Sequence, residues 1–142
     1  MSQIKNISFY LEEHKEIYEK LDLFLKQFSS LKNQRDDKFL LQVSQEFYSY
    51  IQELLLSHFD KEETNLFPNI KEQLAIEIYN RLLDDHEEIR QKFIRLKNEF
   101  ADFEKSPEAF DYKTKILFPS YNLIATINHH AQREDKYLAF DE

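Results

Sequence analysis

Apolar residues recur three and four positions apart in four stretches of the chain, the spacing that gathers them on one face of an α-helix. The first stretch covers about residues 8–31, with Leu11, His14, Ile17, Leu21, Phe24, Phe28 and Leu31 on its stripe. The second covers about residues 37–67 and carries Leu40, Val43, Phe47, Ile51, Leu54, His58 and Glu62. The third, about residues 71–103, carries Tyr79, Leu83, His86, Ile89, Phe93 and Phe100. The fourth starts near Ser106-Pro107-Glu108, where Ser106 suits a cap and Pro107 a first helical position. Its stripe is Leu117, Tyr121, Ile124, Ile127, His130, Glu134 and Leu138. Pro68-Asn69 predicts the stop between the second and third helices, and Pro119 predicts a kink or break in the fourth. The links near residues 32–36 and 105–106 are short, which predicts antiparallel neighbours. The expectation is an all-α chain, one domain over residues 1–142, folded as a four-helix bundle.

The stripes contain residues that do not belong in a plain core. Histidine and glutamate stand where leucine or isoleucine would continue the pattern, and they do so twice. Residues 10–17 align with residues 82–89 at an offset of 72, so that His14 falls on His86 and Ile17 on Ile89. The same offset carries His58 onto His130, Glu62 onto Glu134 and Leu66 onto Leu138. Each hairpin therefore holds two histidines equidistant from its turn. The midpoint between His14 and His58 is Asp36, and that between His86 and His130 is Glu108. Residues equidistant from a tight turn sit at one height, so two packed hairpins bring four imidazoles to one layer. Glu62 and Glu134, one turn from a histidine, join that layer. Two buried carboxylates so close repel each other, and buried imidazoles need partners. A pair of cations satisfies both demands, which makes His14, His58, Glu62, His86, His130 and Glu134 the candidate metal ligands.

Other polar residues fit less symmetrically. His129 shares a face with Asn122, Gln132 and Lys136 and is expected at the surface, although a one-residue rotation would exchange it with His130. Tyr18 is one turn beyond His14; it either reaches the metal layer or is a core tyrosine with its hydroxyl at the boundary. Glu63 and Asp135 are expected to face solvent, the alternative being that one of them orients a histidine. Ile17, Leu55, Ile89 and Ile127 are expected to line the layer with apolar surface.

Composition narrows the chemistry. The chain has no glycine, which removes tight primed hairpins, and no cysteine, which removes thiolate catalysis, zinc knuckles and iron–sulfur ligation. A formal charge of −8 disfavours nucleic acid or anionic lipid as partners. No basic-then-apolar leader or membrane-length apolar run is visible, so a soluble, cytoplasmic protein is expected. Zinc prefers a closed tetrahedron, and calcium and magnesium prefer oxygen throughout. A mixed nitrogen and oxygen set on four helices suits two iron ions, with manganese the alternative.

His14, His58-x-x-x-Glu62, His86 and His130-x-x-x-Glu134 together resemble the hemerythrin-like, or HHE cation-binding, domain over nearly the whole chain. The resemblance implies an up-down-up-down bundle and a non-haem di-iron centre bridged by Glu62, Glu134 and an oxo, hydroxo or water oxygen. It pairs His14 with His58 on one iron and His86 with His130 on the other. The oxygen-carrying members have a further histidine four residues along the third helix, where this chain has Arg90, or Leu82 in the other direction. One nitrogen fewer leaves a position for water, peroxide, nitric oxide or Tyr18. The function expected is binding or sensing of a small diatomic ligand, oxygen or nitric oxide. The alternatives are redox turnover of peroxide or nitrogen oxides, and iron storage or delivery; the chain is expected to be a monomer or homodimer.

Overall fold

A computed structural model describes residues 7–107 and 111–138. Among the described residues there are four helices and no strand. The first is Ile7–Ser29 and the third Ile76–Lys105. The second runs unbroken through residues 37–70, as α-helix over Asp37–Tyr50, Leu56–Lys61 and Phe67–Ile70 with wider π-turns at Ile51–Leu55 and Glu62–Leu66. The fourth opens with a π-turn at Lys113–Leu117 and continues as Phe118–Leu138. The first helix packs on the second and fourth, and the third does likewise, which closes a helical bundle.

The expected stripes face inward, with local exceptions. Ile17, Leu21, Phe24, Phe28 and Leu31 on the first helix, and Leu40, Val43, Phe47 and Ile51 on the second, are all buried. They meet Ile89, Phe93, Leu96, Phe100 and Phe103 of the third helix and Ile116, Leu123, Ile124 and Ile127 of the fourth in one large apolar cluster. On the third helix Leu82 is buried and Leu83 only half-buried, so the stripe passes one residue earlier than the spacing suggests. The side chains of Leu54 and Leu138, assigned to stripes from the sequence, lie outside the described residues.

Helix ends differ from expectation for identifiable reasons. Asp36 caps the second helix, its carboxylate accepting the Phe39 N–H. The second helix does not stop at Pro68 but runs to Ile70, followed by a 3-10 turn at Lys71–Gln73 and extended backbone at Leu74 and Ala75. The third helix therefore begins at Ile76 rather than Lys71. Pro119 likewise does not interrupt the fourth helix. Both prolines complete a Leu-Phe-Pro triplet, Leu66-Phe67-Pro68 and Leu117-Phe118-Pro119, and in both the leucine is the last residue of a π-turn. The phenylalanine N–H reaches back five residues, Phe67 to Glu62 and Phe118 to Lys113. A widened turn gives room for the proline ring, which would otherwise press on the carbonyl four residues back. Ser106 ends the third helix, its N–H bonded to the Asp102 carbonyl, and Pro107 directly after it is in a 3-10 turn. The expected start at Glu108 lies outside the described residues.

A second, smaller apolar cluster contains Tyr10, Leu66, Phe67, Ile70 and Leu82. On the first three helices a candidate site residue falls between the two clusters: His14 between Tyr10 and Ile17, Glu62 between Phe59 and Leu66, His86 between Leu82 and Ile89. The polar layer is thus closed off by apolar side chains on both sides. At the other end of the large cluster Tyr112 donates its hydroxyl to the Leu31 carbonyl, and Arg35 bonds the carbonyl of Pro107. No helix among the described residues is long and apolar enough to cross a membrane.

Candidate metal centre

The six histidine and glutamate side chains named from the sequence converge, each of them 3 % exposed or less. They form two overlapping groups whose ligand atoms lie within 4.8 Å of one another: His14, His58, Glu62 and Glu134, and Glu62, His86, His130 and Glu134. Both carboxylates belong to both groups. Glu62 Oε2 is 3.0 Å from His58 Nε2 and 3.3 Å from His14 Nε2, while its Oε1 is 3.0 Å from His86 Nε2. Glu134 Oε1 is 3.1 Å from His14 Nε2 and 3.3 Å from His130 Nε2. The His58–Glu62 contact survives the irregular helix because Leu56–Lys61 is ordinary α-helix between the two π-turns. That stretch keeps the four-residue spacing on one face.

The inward atoms suit a cation better than they suit each other. His14 Nε2 and His58 Nε2 stand 3.2 Å apart, a separation that needs a proton or a cation between two lone pairs. Glu62 Oε1, both Glu134 oxygens, His86 Nε2 and His130 Nε2 are buried and make no hydrogen bond. Orphaned polar atoms at this depth are costly. Four imidazole nitrogens and two shareable carboxylates, all aimed at one small volume, are a donor set that fits a pair of cations.

The outward nitrogens are equally ordered. Each imidazole presents Nδ1 to a carboxylate: His14 to Asp135 at 2.5 Å, His58 to Glu13 at 2.8 Å, His86 to Glu63 at 2.7 Å and His130 to Asp85 at 3.0 Å. A carboxylate can only accept, so it holds the proton on Nδ1 and leaves the Nε2 lone pair of a neutral ring pointing inward. The four outer acids follow the internal repeat, since Glu13 falls on Asp85 and Glu63 on Asp135 at the offset of 72. Glu63 and Asp135 therefore do not simply face solvent: both orient histidines, because the helix turns that carry Glu62 and Glu134 inward swing the next residue against the neighbouring helix. Glu13 and Asp85 were missed from the sequence, although an acid directly preceding His14 and His86 in both repeats was a readable signal. Tyr18 does not enter the layer; its hydroxyl donates to Asp135 at 2.7 Å. His129 is exposed, as are Gln132 and Lys136 beside it.

Electrostatics reflect a cluster with too few positive charges. Burial opposes charge on Glu62, yet contacts from His14, His58 and His86 hold it well below the usual carboxylate range. Burial also works against protonating His14, but Asp135, Glu134 and Glu62 overcome it and push its pKa up to about 12. His130 rises to about 9 against its own burial, chiefly through Glu134 and Asp85, and His58 is raised in the same sense by Glu62. Without a cation, then, protons on His14, His58 and His130 offset the negative charge of the layer. A cation entering the layer displaces them.

The comparison with known families agrees with this arrangement. The family model described as "Hemerythrin HHE cation binding domain" matches residues 5–139. The chain belongs to that family. No curated protein and no solved structure matches it.

Proposed function

We propose that this protein is a non-haem di-iron protein that binds or senses a small diatomic molecule, oxygen or nitric oxide. The observation that carries the reading is the pair of buried four-residue groups sharing Glu62 and Glu134. His14 and His58 would hold one iron, His86 and His130 the other, and the two carboxylates would bridge them. Such an arrangement accords with an up-down-up-down antiparallel bundle, which sets residues equidistant from each turn at one level. Two irons held there would supply Lewis acidity and one-electron redox capacity. The chain's own part is to fix six donors, to hold each imidazole in the right tautomer and to keep water out. Ile17, Leu55, Ile89 and Ile127, all buried, belong to the large apolar cluster that adjoins the layer. Apolar walls favour a small uncharged molecule over a charged substrate. Arg90, at the place of the further histidine of oxygen carriers, bonds Glu63 and supplies no nitrogen to the layer.

Metal analysis of the purified chain comes first, with about two iron atoms per chain expected. The reduced, iron-loaded protein is then exposed to oxygen or nitric oxide under an absorption spectrometer. The reading predicts a charge-transfer band that disappears when the gas is removed. Irreversible oxidation without such a band would reject it.

A further inference from the structure

The two halves of the centre share one blueprint but are finished differently outside it. In the half built on His86 and His130, Glu63 accepts from Arg90 Nη2 at 2.6 Å, and Asp85 accepts from Arg133 Nε at 3.0 Å and Nη2 at 2.9 Å. Both outer carboxylates thus touch a guanidinium, a permanently charged group. In the half built on His14 and His58, Asp135 accepts from the hydroxyl of Tyr18, and Glu13 faces Lys61 Nζ at 3.9 Å, beyond hydrogen-bond length. These partners occupy equivalent places: Tyr18 falls on Arg90, and Lys61 on Arg133, at the offset of 72. One half therefore offsets two outer negative charges with two guanidinium groups in contact. The other offsets them with a phenol, which is neutral, and one more distant ammonium.

The difference reaches the layer through the imidazoles. A carboxylate on Nδ1 makes the ring a stronger donor at Nε2, and a guanidinium on that carboxylate draws the effect away. We propose that the two cation positions are unequal: the position between His14 and His58 holds its cation more tightly and fills first, and Tyr18 is the positioning residue that leaves Asp135 its charge. This rests on the cation-binding reading above and deepens it. One uncompensated unit charge, acting on a divalent ion roughly 8 Å away through a partly hydrated shell, changes affinity by about tenfold.

Cobalt(II) is a suitable probe, because its visible bands report occupancy and donor geometry. The full chain should take two equivalents in two steps whose affinities differ about tenfold. His130→Ala cripples one half and His58→Ala the other, so His130→Ala should hold its remaining cobalt about tenfold more tightly than His58→Ala does. Tyr18→Arg should weaken cobalt in the His130→Ala background and shift its bands, and do neither in the His58→Ala background. Equal affinities in the two backgrounds, or an equal effect of Tyr18→Arg in both, would overturn the proposal. Where circular dichroism finds a background variant unfolded, the single variants decide: Tyr18→Arg should weaken the first step and Arg90→Tyr strengthen the second, and unchanged steps would overturn it. An unmodified chain that takes up no cobalt sinks the metal centre itself, whereas two equal steps sink only the inequality.

Discussion

The large apolar cluster and the histidine layer are built on the same four helices, yet opposite physics holds them. In the cluster Phe24, Phe28 and Phe47 meet edge to face, with ring centroids 5.1 and 5.4 Å apart, and each is at most 3 % exposed. Those contacts are complete in themselves. A few turns along, His14, His58, His86, His130, Glu62 and Glu134 are just as deeply buried, but their inward atoms lack hydrogen-bond partners or crowd one another. The cluster supplies stability; the layer consumes some of it and returns it when a cation arrives. A bundle of this kind can carry a strained polar layer because most of its length is ordinary core.

Substitutions separate the two regions, and the largest effect should come from the cluster. Phe47→Ala removes a fully buried ring and should cost about 3–5 kcal/mol of unfolding free energy, by urea denaturation, with or without a metal chelator. An effect that vanished on chelation would erase the distinction between the regions. Next, Glu62→Gln removes a shared carboxylate. The stabilisation that saturating metal gives, about 2.7 kcal/mol when free metal is a hundred times its dissociation constant, should disappear, and the metal-free chain should lose stability as well, because the contacts that hold Glu62 ionised among His14, His58 and His86 go with its charge. Full metal-dependent stabilisation persisting in Glu62→Gln would mean that Glu62 is no ligand.

Smaller effects lie in the outer acids and the protons. Asp85→Asn replaces the acceptor on His130 Nδ1 and should weaken metal binding about 10–100-fold in a competition titration, leaving the core untouched. For pH, the raised pKa values of His14, His58 and His130 fix the sign. Their contribution to the metal-free chain is complete below about 6.5, the unfolded value. It declines as pH climbs through about 9 for His130 and about 12 for His14. Metal must displace the same protons, so affinity should rise by roughly tenfold per pH unit for each proton released in that range. Thermal melts of the metal-free and metal-loaded chain at pH 6 and pH 8 should diverge as pH rises; convergence would contradict it. Last, Asp36→Ala removes only the cap of the second helix and should cost about 1 kcal/mol in both forms, far from either region's chemistry.

Much of this protein was determined by its sequence alone. Four stripes of apolar residues specify four helices, since burial of a stripe is what makes a helix of this length stable in water. The repeat carried His14 and His58 onto His86 and His130 and placed six polar side chains at one level, because equal spacing from a turn is a property of chain connectivity. Tertiary structure alone decided the rest. Whether Asp135 meets water or His14 depends on helices brought together across 121 residues, and no local pattern encodes that encounter. Likewise Tyr18 stops at Asp135 instead of entering the layer, a matter of which acceptor the neighbouring helix presents at hydrogen-bond distance. The π-turns lie between these extremes: the two Leu-Phe-Pro triplets announce a disturbance, but only packing on neighbouring helices made the chain widen a turn rather than end the helix.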